Sequence, residues 1–284
     1  MKLQVWQAKE RESIFSRKVP ILPIKTIPVM YIEFDGTGTP VIPEELKGRK
    51  GKQPDGSAKT REVKIGCVFT QTTKDEKGAP IRDPDSTSYV AKIETAEEFG
   101  KRIEAEAIRR GIWNARTVVV IGDGAKWIRN LVDEHFYGAI HIVDFYHAKE
   151  HLYKLLQFLY PAQEKMKEQL PIWLKWFEAG KIETIVATAR QASLTLAEKA
   201  FDEAKKEIGY FEDNASRMRY AKYKSLGLFI GSGVIEAACK NVIGKRLKQS
   251  GMRWSVKGAD DIIALRCSIQ SDRFDEYWES RCAI

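Results

Sequence analysis

Five stretches of the chain are short, apolar and β-branched enough to read as strands. The first, VMYIEFDGTGTP from Val29 to Pro40, carries one carboxylate, Asp35, and then breaks at Gly36-Thr37-Gly38. That pattern predicts a strand ending in a glycine turn, with Asp35 where a buried strand meets water. VKIGCVFT (Val63 to Thr70) and TSYVAKI (Thr87 to Ile93) follow, joined by connections too short for crossover helices, so the first three strands predict an antiparallel meander. TVVVI (Thr117 to Ile121) is uniformly apolar, as a strand buried on both faces should be, and stops at Gly122-Asp123-Gly124. The fifth, Ala139 to Val143, stops in the same way at Asp144.

Between them the period changes from two to 3.6. TAEEFGKRIEAEAIRRG, Thr95 to Gly111, opens with a threonine cap and Glu98 three residues on, and closes at a glycine, which predicts the first crossover helix. AKWIRNLVDEHF predicts a second after Asp123. The order β-β-β-α-β-α-β-α is the ribonuclease H-like pattern, an α/β fold with a mixed five-stranded sheet. From His147 to about Leu228 helix formers dominate, predicting an all-helical insertion. GSGVIEAACKNVIGKRLKQSG then predicts a helix ending at Gly251, and a last helix covers Gly258 to about Arg281. The expected organisation is a short N-terminal helix, stopping before ILPIKTIP, and linker (1–28), a catalytic core in two parts (29–147 and 229–284), and the insertion (148–228).

Composition narrows the partners. The 284 residues carry 47 Lys and Arg against 39 Asp and Glu, a formal charge of +8. That excess favours a polyanion, nucleic acid before a membrane surface. No apolar stretch approaches the roughly 20 residues of a membrane span, and Met1 to Pro20 lacks the apolar centre of a signal peptide, so a cytosolic location is expected. Cys67, Cys239, Cys267 and Cys282 are widely separated and read as reduced thiols, not a zinc site or a disulfide frame.

The candidate chemistry is carboxylate chemistry. In this topology the strands ending at Asp35 and Asp123 are parallel neighbours. Two carboxylates there repel, and a divalent cation with oxygen ligands relieves them. Glu236 opens the helix after the insertion among Gly231, Ser232, Gly233, Ala237 and Ala238, small residues that let it pack close. Two Mg²⁺ or Mn²⁺ ions about 3.5–4 Å apart on such a set support phosphodiester cleavage or transfer. Two basic stretches suit phosphates. Glu44 to Lys64 is a long basic loop with Lys47, Arg49, Lys50 and Lys52; the other carries Lys240, Lys245, Arg246, Lys248 and Arg253, and no acid falls between Lys240 and Gly258. Trp254 in the second stretch either stacks on bases or anchors its loop. Trp127, Trp173 and Trp176 read as core; His135, His141 and His151 are assigned to surface or core.

The motifs YIEFDGTGTP, VVVIGDGAKWIRNL, IVDFYHAKEHL, GSGVIEAACKNVIGKRLK and SGMRWSVKGADDIIALR resemble, in order, the DDE transposases of bacterial insertion sequences, in the Mutator-related group. The likeness spans Val29 to Glu279. It implies a metal-dependent transposase acting on double-stranded DNA, both transposon ends and target, as a homodimer or higher oligomer in the bacterial cytoplasm, associated with the nucleoid. It makes Asp35, Asp123 and Glu236 the catalytic and metal-binding acids. Asp144 and His147 match the D/C-x-x-H signature that follows the second aspartate, although a strand-end cap and a helix N-terminal residue are the plain alternatives. Relatives carry a DNA-binding region ahead of the catalytic domain, for which 28 residues are too few, so a shortened copy is expected. A silent DNA-binding remnant and a ribonuclease H-like nuclease on other DNA or RNA substrates are the competing functions.

Overall fold

The computed structural model describes residues 3–16, 26–51, 53 and 56–282. Its centre is a mixed sheet of β1 (Ile27–Pro40), β2 (Thr60–Gln71), β3 (Ser88–Lys92), β4 (Ala115–Gly122) and β5 (Ile140–Val143), ordered β3-β2-β1-β4-β5. β2 pairs antiparallel with β1 and β3, whereas β4 runs parallel to β1 and β5 to β4. This is the ribonuclease H-like arrangement expected from the element order.

Alternation along β1 sorts side chains onto two cores. Met30, Ile32 and Phe34 face α2 (Ala96–Arg109) and α3 (Lys126–His135), packing with Phe99, Ile103, Ile128 and Leu131. Tyr31 faces the other way, into a larger buried cluster. Thr95 caps α2, accepting the Glu98 N–H as its sequence foretold. α1 (Leu3–Phe15) lies against this layer, tied by the Glu10–Arg273 ion pair. The stop expected before ILPIKTIP falls on residues 17–25, outside the described residues.

The expected break at Gly36-Thr37-Gly38 does not occur. β1 runs straight through to Pro40, paired with β2 as far as Pro40–Thr60, while its pairing with β4 ends at Glu33–Ile121. Asp35 therefore stands where β1 outruns its parallel neighbour, not at a turn. The glycines answer to the next strand: a Cβ at Gly36 would come within 2.5 Å of Glu62 Oε1, and one at Gly38 within 2.6 Å of Thr60 Oγ1. The basic connection to β2, expected as a long loop or a solvated hairpin tip, takes the hairpin form. A short 3₁₀ turn (Pro43–Leu46) leads into a small hairpin closed by Gly51 N–H to Gly56 O (2.9 Å) and Ala58 N–H to Arg49 O (3.3 Å).

The helical insertion comprises α4 (Phe145–Leu159), α5 (Gln163–Glu178), α6 (Ile182–Ser193), α7 (Glu198–Asn214) and α8 (Tyr220–Ser225). Its expected start at residue 148 falls inside α4. The structural ends are earlier and later: the Phe145 N–H donates to Ile230 O at 2.9 Å, so the chain leaves and rejoins the sheet at one point. Trp173, Phe177 and Phe211 share one buried cluster with Tyr31, Phe69 and Val119 of the sheet. α9 (Gly233–Ala238) continues through a π-helical turn (Cys239–Gly244) to Leu247. The expected last helix is two, α10 (Val256–Gln270) and α11 (Phe274–Cys282), because Asp272 turns the backbone with φ 53°.

Candidate active site

Asp35 stands on the overhang of β1, and Asp123 directly follows β4, the parallel neighbour of β1. Asp35 Oδ1 accepts its own neighbour's Gly36 N–H at 2.6 Å, and Oδ2 accepts the Cys239 thiol at 3.3 Å. Burial, then the negative charge of Asp123, raises the Asp35 pKa, while Cys239, the Gly36 N–H and His147 oppose the rise. Two of the expected acids and the expected histidine thus share one electrostatic environment. Asp123 Oδ1 accepts the Ala125 N–H at 2.8 Å, and Gly124, at φ 86°, turns the chain tightly into α3.

Glu236 arrives on α9. It lies one helical turn before Cys239, on the same face, and its charge is felt at both Cys239 and Glu33. The side chain is exposed and makes no hydrogen bond among the described residues. Two buried acids seat this helix against the sheet. Glu33 Oε2 accepts the Ile235 N–H at 2.9 Å, and Asp144 Oδ2 accepts the Ser232 N–H. Asp144 also caps α4 through the His147 N–H at 2.5 Å. The cap reading of Asp144 is therefore structural fact, and His147 is the third residue of the helix it caps.

His147 does not stand alone. Its Nε2 lies 3.3 Å from His151 Nε2, and His151 Nδ1 lies 2.5 Å from Glu207 Oε2. The Tyr210 ring stacks on His151 at 3.8 Å and its hydroxyl donates to the Asp123 carbonyl at 3.0 Å. His151, expected at the surface or in the core, is the i+4 neighbour of His147 on α4 and touches it, a contact that the spacing signals. Glu33 was missed; it lies two residues before Asp35, hence on the same face of β1. His135 and His141 do sit away from the acids. His135 pairs with Glu104, and burial drives the His141 pKa down to about 3.

Among the described residues no three His, Cys, Asp or Glu side chains are grouped closely enough to hold a metal ion. The donor set is nonetheless all oxygen, the kind Mg²⁺ and Mn²⁺ take. Glu236 is uncommitted, and the carboxylate repulsion at Asp35 favours a cation. The Cys239 thiol and the Gly36 N–H each bond one Asp35 oxygen.

The two basic stretches meet. The Ile42 N–H donates to Trp254 O (2.9 Å), the Trp254 N–H to Pro40 O (3.3 Å) and the Val256 N–H to Glu45 Oε1 (3.1 Å), pinning the base of the hairpin to the turn before α10. Lys248 Nζ reaches Thr37 Oγ1 at 2.5 Å. Lys47, Arg49, Lys50, Lys240, Lys245, Arg246, Lys248 and Arg253 are all exposed, and Lys52 lies outside the described residues. A cleft of about 440 Å³ separates the stretches, with Lys59, Gln249 and Arg253 on its walls. Trp254 anchors: its indole N–H donates to Leu247 O at 3.2 Å and its ring packs on the core. Trp127 is held against Phe34 and Phe99 with Lys64 Nζ 4.2 Å over its ring, and Trp173 is fully buried, so both are core.

No protein-family profile matches the chain, and no curated protein matches it. Among solved structures it is similar to the Drosophila P element transposase strand transfer complex, at 11% identity over 91% of this chain and 67% of that one. The superposition is loose, with a TM-score of 0.28, and the fold assignment rests on strand order and pairing instead. No helix among the described residues is long and apolar enough to cross a membrane.

Proposed function

We propose that the chain is the catalytic core of a DDE-type transposase, cutting DNA strands at transposon ends and joining them to a target. The observation that carries this reading is the charge of Asp123 acting on Asp35 where β1 outruns its parallel neighbour, with Glu236 on the helix whose Cys239 touches Asp35. The united basic surface beside the β1 overhang supplies a track for a phosphate backbone. Asp35, Asp123 and Glu236 would hold two Mg²⁺ or Mn²⁺ ions, which supply activation of the attacking oxygen and stabilisation of the leaving one. The protein's own part is to orient: Asp144 and Glu33 fix the helix carrying Glu236, and the exposed cations hold the duplex. Assembly as a homodimer or larger oligomer, the bacterial insertion-sequence origin and the nucleoid location belong to the same proposal.

A second reading, a DNA-binding protein without cleavage, is favoured by the Cys239 thiol on Asp35 and by the missing metal-ready cluster among the described residues. Incubation with labelled transposon-end duplex and Mg²⁺ separates the two. The transposase reading expects nicking and strand transfer that Asp123→Asn abolishes. Binding alone, unchanged in Asp123→Asn, supports the second and defeats the first. Faster cleavage of junctions or RNA–DNA hybrids than of transposon ends would identify a ribonuclease H-like nuclease instead.

A further inference from the structure

The helical insertion sends one polar chain toward the acids. Glu207 of α7 meets His151 Nδ1 at 2.5 Å, His151 Nε2 meets His147 Nε2 at 3.3 Å, and His147 lies within electrostatic reach of Asp35. The hydrogen-bond inventory of this chain has few solutions. A carboxylate only accepts, so His151 must donate from Nδ1. Burial holds the His151 pKa below its ordinary value against the pull of Glu207, with His147 and Lys154 pushing the same way, so the ring is neutral near pH 7. A neutral ring that donates from Nδ1 can only accept at Nε2. In its neutral form His147 must then donate from Nε2, which leaves its Nδ1 as an open acceptor.

We propose that Glu207 and His151 are positioning residues that set the tautomer of His147, keeping the proton on Nε2 and a lone pair on Nδ1. His147 is then able to take a hydrogen bond or a proton beside Asp35. The stack of Tyr210 on His151, at 3.8 Å and 17° between planes, holds the relaying ring in one orientation. An outer partner that fixes a histidine's tautomer is a familiar device at reactive centres. Here it gives the insertion a chemical part in the site. The proposal rests on the reading of His147 as a site residue.

The test uses the full chain labelled with ¹⁵N in histidine. In the wild type at pH 7, long-range ¹H–¹⁵N correlation should show His147 protonated at Nε2. A ¹⁵N–¹⁵N coupling across the hydrogen bond should join His147 Nε2 to His151 Nε2. Glu207→Lys replaces an acceptor with a donor, so every bond in the chain should reverse and His147 should move its proton to Nδ1. An unchanged His147 tautomer in folded Glu207→Lys, or no coupling in the wild type, overturns the proposal; the coupling decides the matter if the variant does not fold. Strand cleavage should fall about 10–100-fold in Glu207→Lys. Wild-type protein that shows the tautomer and coupling but never cleaves DNA would defeat the transposase reading and leave this inference standing.

Discussion

Glu33 is fully buried in the middle of the sheet, with Oε2 on the Ile235 N–H and Oε1 without a partner. Burial first, then the charges of Asp144 and Glu236, raise its pKa from 4.5 to about 8, against the pull of Ile235 N–H and Arg82. The folded protein therefore keeps a proton on Glu33 that the unfolded chain releases above pH 4.5. Stability contributed by this group is fully present below that pH, is lost as pH rises toward 8, and is then gone. The slope is about 1.4 kcal/mol per pH unit, and over the whole interval the loss is about 5 kcal/mol. Glu33→Gln removes the titration and keeps an oxygen for the Ile235 N–H, but leaves an amide N–H unpaired at a cost of about 1–3 kcal/mol. The two proteins should exchange rank: the variant less stable near pH 5, and more stable by about 2–4 kcal/mol above pH 8. Urea unfolding of both at pH 5, 6.5 and 8 reads the difference directly. A difference that stays constant across that range would show that Glu33 is ionised in the folded state and refute the argument.

Asp144→Ala removes a helix cap and a charged hydrogen bond to the Ser232 N–H at once, and should lower unfolding stability by about 3–4 kcal/mol, measured by denaturant titration. Because that bond seats α9, hydrogen exchange should also rise over residues 232–238. Arg246→Ala, at an exposed cation, should lower the salt slope of DNA binding by about one, whereas Trp254→Phe should leave that slope alone and cost about 1 kcal/mol of stability through the lost bond to Leu247 O.

The five strands and their order were legible because each carries its period in the sequence. TVVVI could be little else than a strand covered on both sides, and the Thr95–Glu98 spacing is a cap that acts locally. Misreadings arose where the cause lies elsewhere in the chain. Gly36 and Gly38 look like a turn, yet they lie within β1, paired with Lys64 and Glu62 of β2. Trp254 among cations looks like a base platform, but its indole is spent on Leu247, seven residues back. The strands that carry Asp35 and Asp123 are parallel neighbours, as the element order implied. The groups around these acids, Glu33 under Ile235, Cys239 on Asp35, and His151 with Glu207 behind His147, come from separated segments that only packing brings together. In Glu33 the hint was present: a glutamate in the middle of an apolar strand, one alternation before Asp35, needs a reason.

The junction at Asp144 has a bearing on how such a chain can change. Phe145 N–H to Ile230 O and Asp144 Oδ2 to Ser232 N–H close everything from α4 to α8 into a loop whose two ends touch. Closing a longer loop costs little, about 0.6 kcal/mol for each doubling. Residues 145 to 230 thus form a cassette with a fixed socket, in which a change of length alone adds little to the cost of closure. Two demands constrain any exchange. The replacement must present an apolar face to Val143 and Tyr31, which Trp173, Phe177 and Tyr220 now help cover. It must also return an acceptor to the place of Glu207, or the site loses a setting that the sheet alone does not provide.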